Sequence, residues 1–476
     1  MSASTAARPL ARRELHVPRR RTPVLLGLLA LATAVAATAA GLAGWTPSFA
    51  AGGGTVLHGR SAWVVVGAAT ALTLALVVGG LVGGTDRRYP ESAERDERLD
   101  LVRGLAIVFV VLNHINIPSL FQLLTQEAWG PVSGAELFVA LSGAVLGMVY
   151  RRRLQSTDMV AATGALWQRA GKLYRTALLV VLAIFLATLL PGVDGRVVTT
   201  FVDQSNGQTY GLYPNVGHLL DYPVPGYVLR DILLLRLGPY QFNIMGLYVV
   251  LLLVSPLLVA ALRRRLVLVL LLVSWALYGV NALREVSLLH AQFETPFPLL
   301  TWQLLFVHGL AAGWYREALL RGARTAWGRV GVVLAVLGSL ALAVFSWNNP
   351  FLSNGWDVRL ALLPESRFLD LYRQYFLRPT LGLGRLLAVA LLLVSVYALL
   401  TAYWRPLRRA LGWFLVPLGQ ATLYVFVVHV FFALVVANVP GLGSGNVLLD
   451  TVGHAAVLAL TWLMVRRRVL FSVIPR

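Results

Sequence analysis

Twelve apolar runs, each about as long as a bilayer is thick, dominate this chain of 476 residues. Hydrocarbon offers no water to bond with. Every backbone N–H and C=O must therefore be satisfied inside the protein, and only helices and closed barrels can span. Barrel strands alternate apolar and polar residues over short segments, whereas these runs are continuous. They fall near 24–43, 62–84, 100–118, 132–150, 175–191, 241–262, 266–282, 299–316, 329–346, 383–404, 414–437 and 446–465. The expected fold is all-α, a polytopic transmembrane helical bundle of about 12 spans.

The connecting segments set the direction of each span. Only 13% of residues are charged, yet the formal net charge is +20. Such an excess can mark a nucleic-acid binder. Here the arginines sit in short turns between apolar runs, where they fix topology, and no nucleic acid is expected as a partner. The segments placed inside carry Arg12 to Arg21; Arg87, Arg88, Arg95 and Arg98; Arg151, Arg152, Arg153, Arg169 and Lys172; Arg263 to Arg265; Arg316, Arg321 and Arg324; Arg405, Arg408 and Arg409; and Arg466 to Arg468. Segments 44–61, 119–131, 283–298 and 438–445 carry few basic residues or none. The longer outer segments 192–240 and 347–382 mix arginines with Asp221, Asp231, Asp357, Glu365 and Asp370. The alternation survives every span, so both termini are expected in the cytoplasm of a plasma-membrane protein.

The expected organisation is a basic tail over 1–22, two N-terminal spans over 23–86, a membrane domain over 95–465 and a second basic tail over 466–476. The run from Pro23 to Leu42 follows several arginines, as the apolar part of a signal peptide does. It is long enough to span and is read as a retained helix. With no cysteine in the chain, thiol nucleophiles and acyl-cysteine intermediates are excluded. The two long outer loops are rich in Tyr, Trp, Gly and Pro. They either cover an acceptor groove as short helices or belong to the interfacial aromatic belt.

An ionisable residue inside a membrane helix is costly and is a functional-site hypothesis by default. Arg103 and His114 share one run, LDLVRGLAIVFVVLNHINIP. Eleven residues at about 100° return to nearly the same face, about 16 Å further along the axis. His114 lies about 21 Å into its span and His429 about 22 Å into another, at similar depth. Glu136 begins the next span, within about one turn of the outer surface. A histidine oriented by a carboxylate is a general-base arrangement, and Glu136 is the expected partner of His114. The plain alternatives are a structural His–Glu pair, interhelical hydrogen bonding and, for Arg103, a snorkelling interfacial side chain. Arginine forks suit phosphate, so Arg103 is also a candidate contact for a phosphorylated donor. Asn113 is a candidate hydrogen-bonding group beside His114. No metal is expected: no HExxH and no dense acidic cluster occurs, nor is there a Walker A lysine or a GxSxG elbow.

The ordered elements RLDLVRGLAIVFVVLNHI, AELFVALSGAVLGMVY, LYVVLLLVSPLLVA, WQLLFVHGLAAGW and PLGQATLYVFVVH resemble the OpgC-type membrane acyltransferases, relatives of the acyltransferase-three superfamily. The likeness runs from about Arg95 to Ala437. It implies O-acyl transfer, typically succinyl, from a cytoplasmic acyl-coenzyme A to hydroxyls of an extracytoplasmic glycan, with no permanently bound cofactor. It implies roles for Arg103, His114 and Glu136 in catalysis, and for Asn113, Trp302, Gln303 and His429 in substrate binding. Ser142 and Gly143 match a further element. It also implies a ten-span core preceded by the two added spans. The rival readings are a transporter or flippase of an envelope glycan or lipid-linked sugar, and a structural membrane partner.

Overall fold

The computed structural model describes residues 56–82, 85–90, 95–125, 127–202, 209–350 and 359–474. The expected basic tail over 1–22 and the first apolar run near 24–43 lie outside the described residues. The longer helices are α1 (Gly59–Val82), α2 (Glu97–Ile115), α3 (Gly134–Arg153), α4 (Met159–Thr188), α5 (Ile244–Arg263), α6 (Val267–Leu283) and α7 (Leu299–Trp314), then α8 (Arg316–Arg324), α9 (Ala326–Ser346), α10 (Glu365–Tyr375), α11 (Leu383–Ala402), α12 (Trp413–Gln420), α13 (Thr422–Ala437) and α14 (Val447–Arg467). Among the described residues, sheet is confined to two scraps. Strand β1 (Val56–Leu57) pairs in parallel with β4 (Arg359–Leu360), and β2 (Thr200–Val202) pairs antiparallel with β3 (Thr209–Gly211).

Among the described residues, seven helices are long and apolar enough to cross a membrane: α1, α3, α4, α5, α9, α11 and α14. The pair α12–α13 makes an eighth if its bend of 89° lies within one span. Each described run has a helical counterpart, but the count of twelve is not reached by length and composition. Helices α6 and α7 have only 17 and 16 residues, and α2 carries Glu97, Arg98, Asp100 and Arg103. The run read as one span over 414–437 is two helices meeting at Ala421. The span expected over 175–191 starts far earlier, at Met159, so Arg169 and Lys172 lie on helix α4 itself rather than in a loop.

Caps mark several boundaries. Asp96 accepts from Arg98 N ahead of α2, Asp158 from Ala161 N ahead of α4, and Asn446 from Leu449 N ahead of α14. Each satisfies a donor that a helix start leaves orphaned. Helix α3 ends on Arg151, Arg152 and Arg153, which suit the negative pole of its dipole.

Glycines set the closest helix contacts. On α3, a Cβ at Gly143 would run into the Phe306 carbonyl, and one at Gly147 into that of Leu310. Reciprocally, Gly309 and Gly313 of α7 face the carbonyls of Ala140 and Ala144. The two backbones touch, as small residues permit in membranes. The same holds between α2 and α12, where Gly104 meets the Leu415 carbonyl and Gly419 that of Asp100. Gly313→Val is therefore expected to cost more than the roughly 1–3 kcal/mol of ordinary overpacking, because the obstacle is backbone. A fall in melting temperature and in monodisperse yield would register it; wild-type values would contradict the packing.

The bundle has two unlike ends. At one, Asp96 accepts from Arg98, Arg316 and Tyr397, and Arg98 lies between the rings of Tyr89 and Tyr397, 3.9 and 4.2 Å from their centroids. Burial would raise the Asp96 carboxyl, but these partners outweigh it and hold the group below the ordinary range. At the other end lie His114, Glu136, Arg385 and the loops over 116–133 and 359–382.

Candidate active site

Helix α2 runs between the two ends and is largely buried. Near its far end, His114 Nδ1 lies 2.8 Å from His429 Nε2, and the two rings are inclined by 25°. Tyr240 and Phe426 stand edge-on to His114, with centroids at 5.9 and 6.5 Å. His429 is fully buried. Its Nδ1 faces the carbonyls of Val425 and Phe426, one turn earlier, without reaching hydrogen-bond geometry. That environment favours the proton on Nδ1 and leaves Nε2 as acceptor. His114 then donates from Nδ1, and the lone pair of its own ring falls on Nε2, which has no hydrogen bond among the described residues. An imidazole held at Nδ1 with a free Nε2 has the arrangement a general base requires.

Glu136 does not meet His114. Its Oε2 accepts from Ser133 N at 2.9 Å and from the Ser133 hydroxyl, closing a capping box on α3, and its Oε1 accepts from Arg385 Nε at 2.6 Å. Arg385 also contacts Glu127 at 2.8 Å and donates to the Phe376 carbonyl at 2.9 Å. Arg385 and Glu136 are 1% and 0% exposed, so each depends on the other for its charge. The expected orienting carboxylate is thus engaged in an ion-pair cluster, and the orienting group at His114 is another imidazole.

Arg103 sits nearly two turns into α2. Its Nη2 donates to Thr422 Oγ1 at 2.5 Å, at the start of α13 and beside the helix break. Its Nε is buried without a partner, as are Asn113 Oδ1 and the Tyr248 hydroxyl beside Ser142. Arg103, Asn113 and His114 are all half-buried. Trp302 and Gln303 are placed differently. Trp302 is fully buried and donates to the Pro379 carbonyl at 3.2 Å. Gln303 accepts from Ser274 and donates to the Ser274 and Leu300 carbonyls. Their polar groups are spent on packing.

The sequence reading missed Arg385 and Arg378. Arg378 lies in the turn between α10 and α11, 5.5 Å from the Phe297 centroid. It bears electrostatically on both His114 and Glu136. Its guanidinium is crowded by protein yet accessible, and it makes no hydrogen bond or ion pair among the described residues. Both arginines stand at the arginine-poor end of the bundle. That break in the charge pattern was the available signal.

The model of the family described as OpgC protein matches residues 95–472. The chain belongs to the OpgC family. Membership makes it an acyltransferase-like membrane enzyme of the glucan-modifying class. The matched residues begin just ahead of α2 and include Arg103, His114, Glu136, Arg378, Arg385 and His429, so the whole cluster belongs to the OpgC region. No curated protein and no solved structure matches the chain.

Proposed function

We propose that this OpgC-family protein transfers a succinyl group from cytoplasmic succinyl-coenzyme A to a hydroxyl of an extracytoplasmic glycan. The observation that carries the reading is helix α2. It holds a half-buried guanidinium and, about 16 Å further on, an imidazole held through Nδ1 by His429 with its Nε2 free of hydrogen bonds among the described residues. The arginine-rich end is the cytoplasmic one on the positive-inside rule. The donor enters there, with Arg103 near its phosphates and its acyl arm running along α2. Unpartnered polar atoms at Arg103, Tyr248 and Asn113 support that route.

At the far end His114 Nε2 takes the proton of the sugar hydroxyl. The oxygen attacks the thioester carbonyl, the C–S bond breaks, and the imidazolium returns its proton to the departing thiolate. An ester and free coenzyme A result. The chain has no cysteine to carry the acyl group, so direct attack is favoured. Arg378, an accessible cation beside His114, suits the free carboxylate of a succinyl group.

Purified protein is mixed with succinyl- or acetyl-coenzyme A and a panel of glucans and arabinans, following coenzyme A release and glycan mass. Equal release and mass gain with succinyl-coenzyme A is the expected result. The bent pair α12–α13 is the feature that favours a transporter, because broken helices build transporter sites. Glycan movement across vesicles without a new ester would support that reading and overturn ours.

A further inference from the structure

A large space lies on the other side of α2, away from the histidine pair. It is a groove of about 1560 Å³ between α1, α9 and α11 on one wall and α3 and α7 on the other. None of Arg103, His114, Arg378 or His429 lines it. Ordinary small-molecule pockets hold about 300–1,000 Å³. Its walls are mostly apolar, with Leu141, Met148, Leu305, Val333 and Leu393 among them. Leu81, Leu387 and Val394 line it while remaining exposed, so it opens sideways toward the hydrocarbon. Apolar walls of this area do not hold water, and left unfilled they would forfeit their dispersion contacts.

Charge gathers at one mouth. Arg321 and Arg329 line it, and their guanidinium groups make no hydrogen bond or ion pair among the described residues. Arg152, Arg316 and Arg324, which have protein partners, line the same mouth. The one acid there among the described residues is Glu317, 3.8 Å from Arg151. All of these stand at the arginine-rich end, level with the turn between α7 and α9. An occupant must therefore be long and apolar with a single anionic end.

We infer that the groove binds an anionic phospholipid of the arginine-side leaflet, its phosphate against Arg321 and Arg329 and its acyl chains along α11. Basic residues at the inner membrane surface attract anionic headgroups. The apolar length of α11, 20 residues or about 30 Å, gives the chains full depth. The lipid cements α1 and α9 to the catalytic helices without entering the His114 site.

The test is native mass spectrometry of the full chain, delipidated and titrated with phosphatidylglycerol or with phosphatidylcholine of the same acyl chains. Wild-type protein is expected to bind one phosphatidylglycerol more tightly than phosphatidylcholine. Arg321→Gln with Arg329→Gln should weaken phosphatidylglycerol by about thirtyfold and leave phosphatidylcholine unchanged. Both side chains are exposed, so an unchanged melting temperature serves as the folding control. Equal affinity for the two lipids, or an undiminished preference in the variant, overturns the inference. No bound lipid of either kind also overturns it and leaves the apolar run 24–43 as the candidate occupant.

Discussion

Replacing His114 by alanine is expected to cut coenzyme A release and glycan esterification by about 10²–10⁴-fold, the usual worth of a positioned general base. The folded state should survive. His114 is half-buried, and its one hydrogen bond is to His429. His429→Ala should give a smaller loss, because it frees the His114 tautomer without removing the base. The ratio of the two separates a base from its positioning partner. Full activity in correctly inserted His114→Ala protein would remove His114 from the mechanism.

Glu136→Ala is expected to act on stability. It strips a fully buried guanidinium of its 2.6 Å partner, and breaking one half of a buried pair costs about 3–5 kcal/mol. The fall should appear in thermal unfolding of the detergent-solubilised protein. Replacing the pair together, with Glu136→Met and Arg385→Met, should recover part of the loss, although Glu127 then loses its arginine. A wild-type melting temperature for Glu136→Ala with a collapsed transfer rate would instead make the carboxylate catalytic.

These expectations rest on contacts of unequal legibility. Apolar runs reveal helices because hydrocarbon enforces them, and every described run is helical. Depth arithmetic put His114 and His429 at one level, and they are hydrogen-bonded. Chain order, by contrast, argued for His114 with Glu136. Their helices do pack together, but the capping box and Arg385 turn the carboxylate to other partners. Arg378 stands in a loop where arginines alternate with acids, a pattern that reads as surface charge, and Arg385 stands in the first turn of the apolar run 383–404, whose pattern marks a span and no ion pair. The break at Ala421 follows Pro417 and Gly419, inside an apolar run that hydropathy joins into one. The resemblance implied substrate roles for Trp302 and Gln303, whose polar groups bond to the Pro379 carbonyl and to Ser274 and Leu300. A pairing between distant helices leaves no mark in either segment alone.

Helix α2 also bears on how the protein is made. Its first two turns carry Glu97, Arg98, Asp100 and Arg103, and charges within a spanning segment oppose insertion. Arg98 and Asp100 have near partners in Asp96 and Arg95, but other groups that compensate these charges arrive late in synthesis. Tyr397 and Thr401 receive Arg98, Thr422 receives Arg103, and the glycine-tight partner α12 follows residue 412. The segment bearing the arginine and histidine thus leaves the ribosome more than 300 residues before its own neighbourhood exists. Its contacts with Tyr397, Thr401 and Thr422 form only when the last third of the chain has been made.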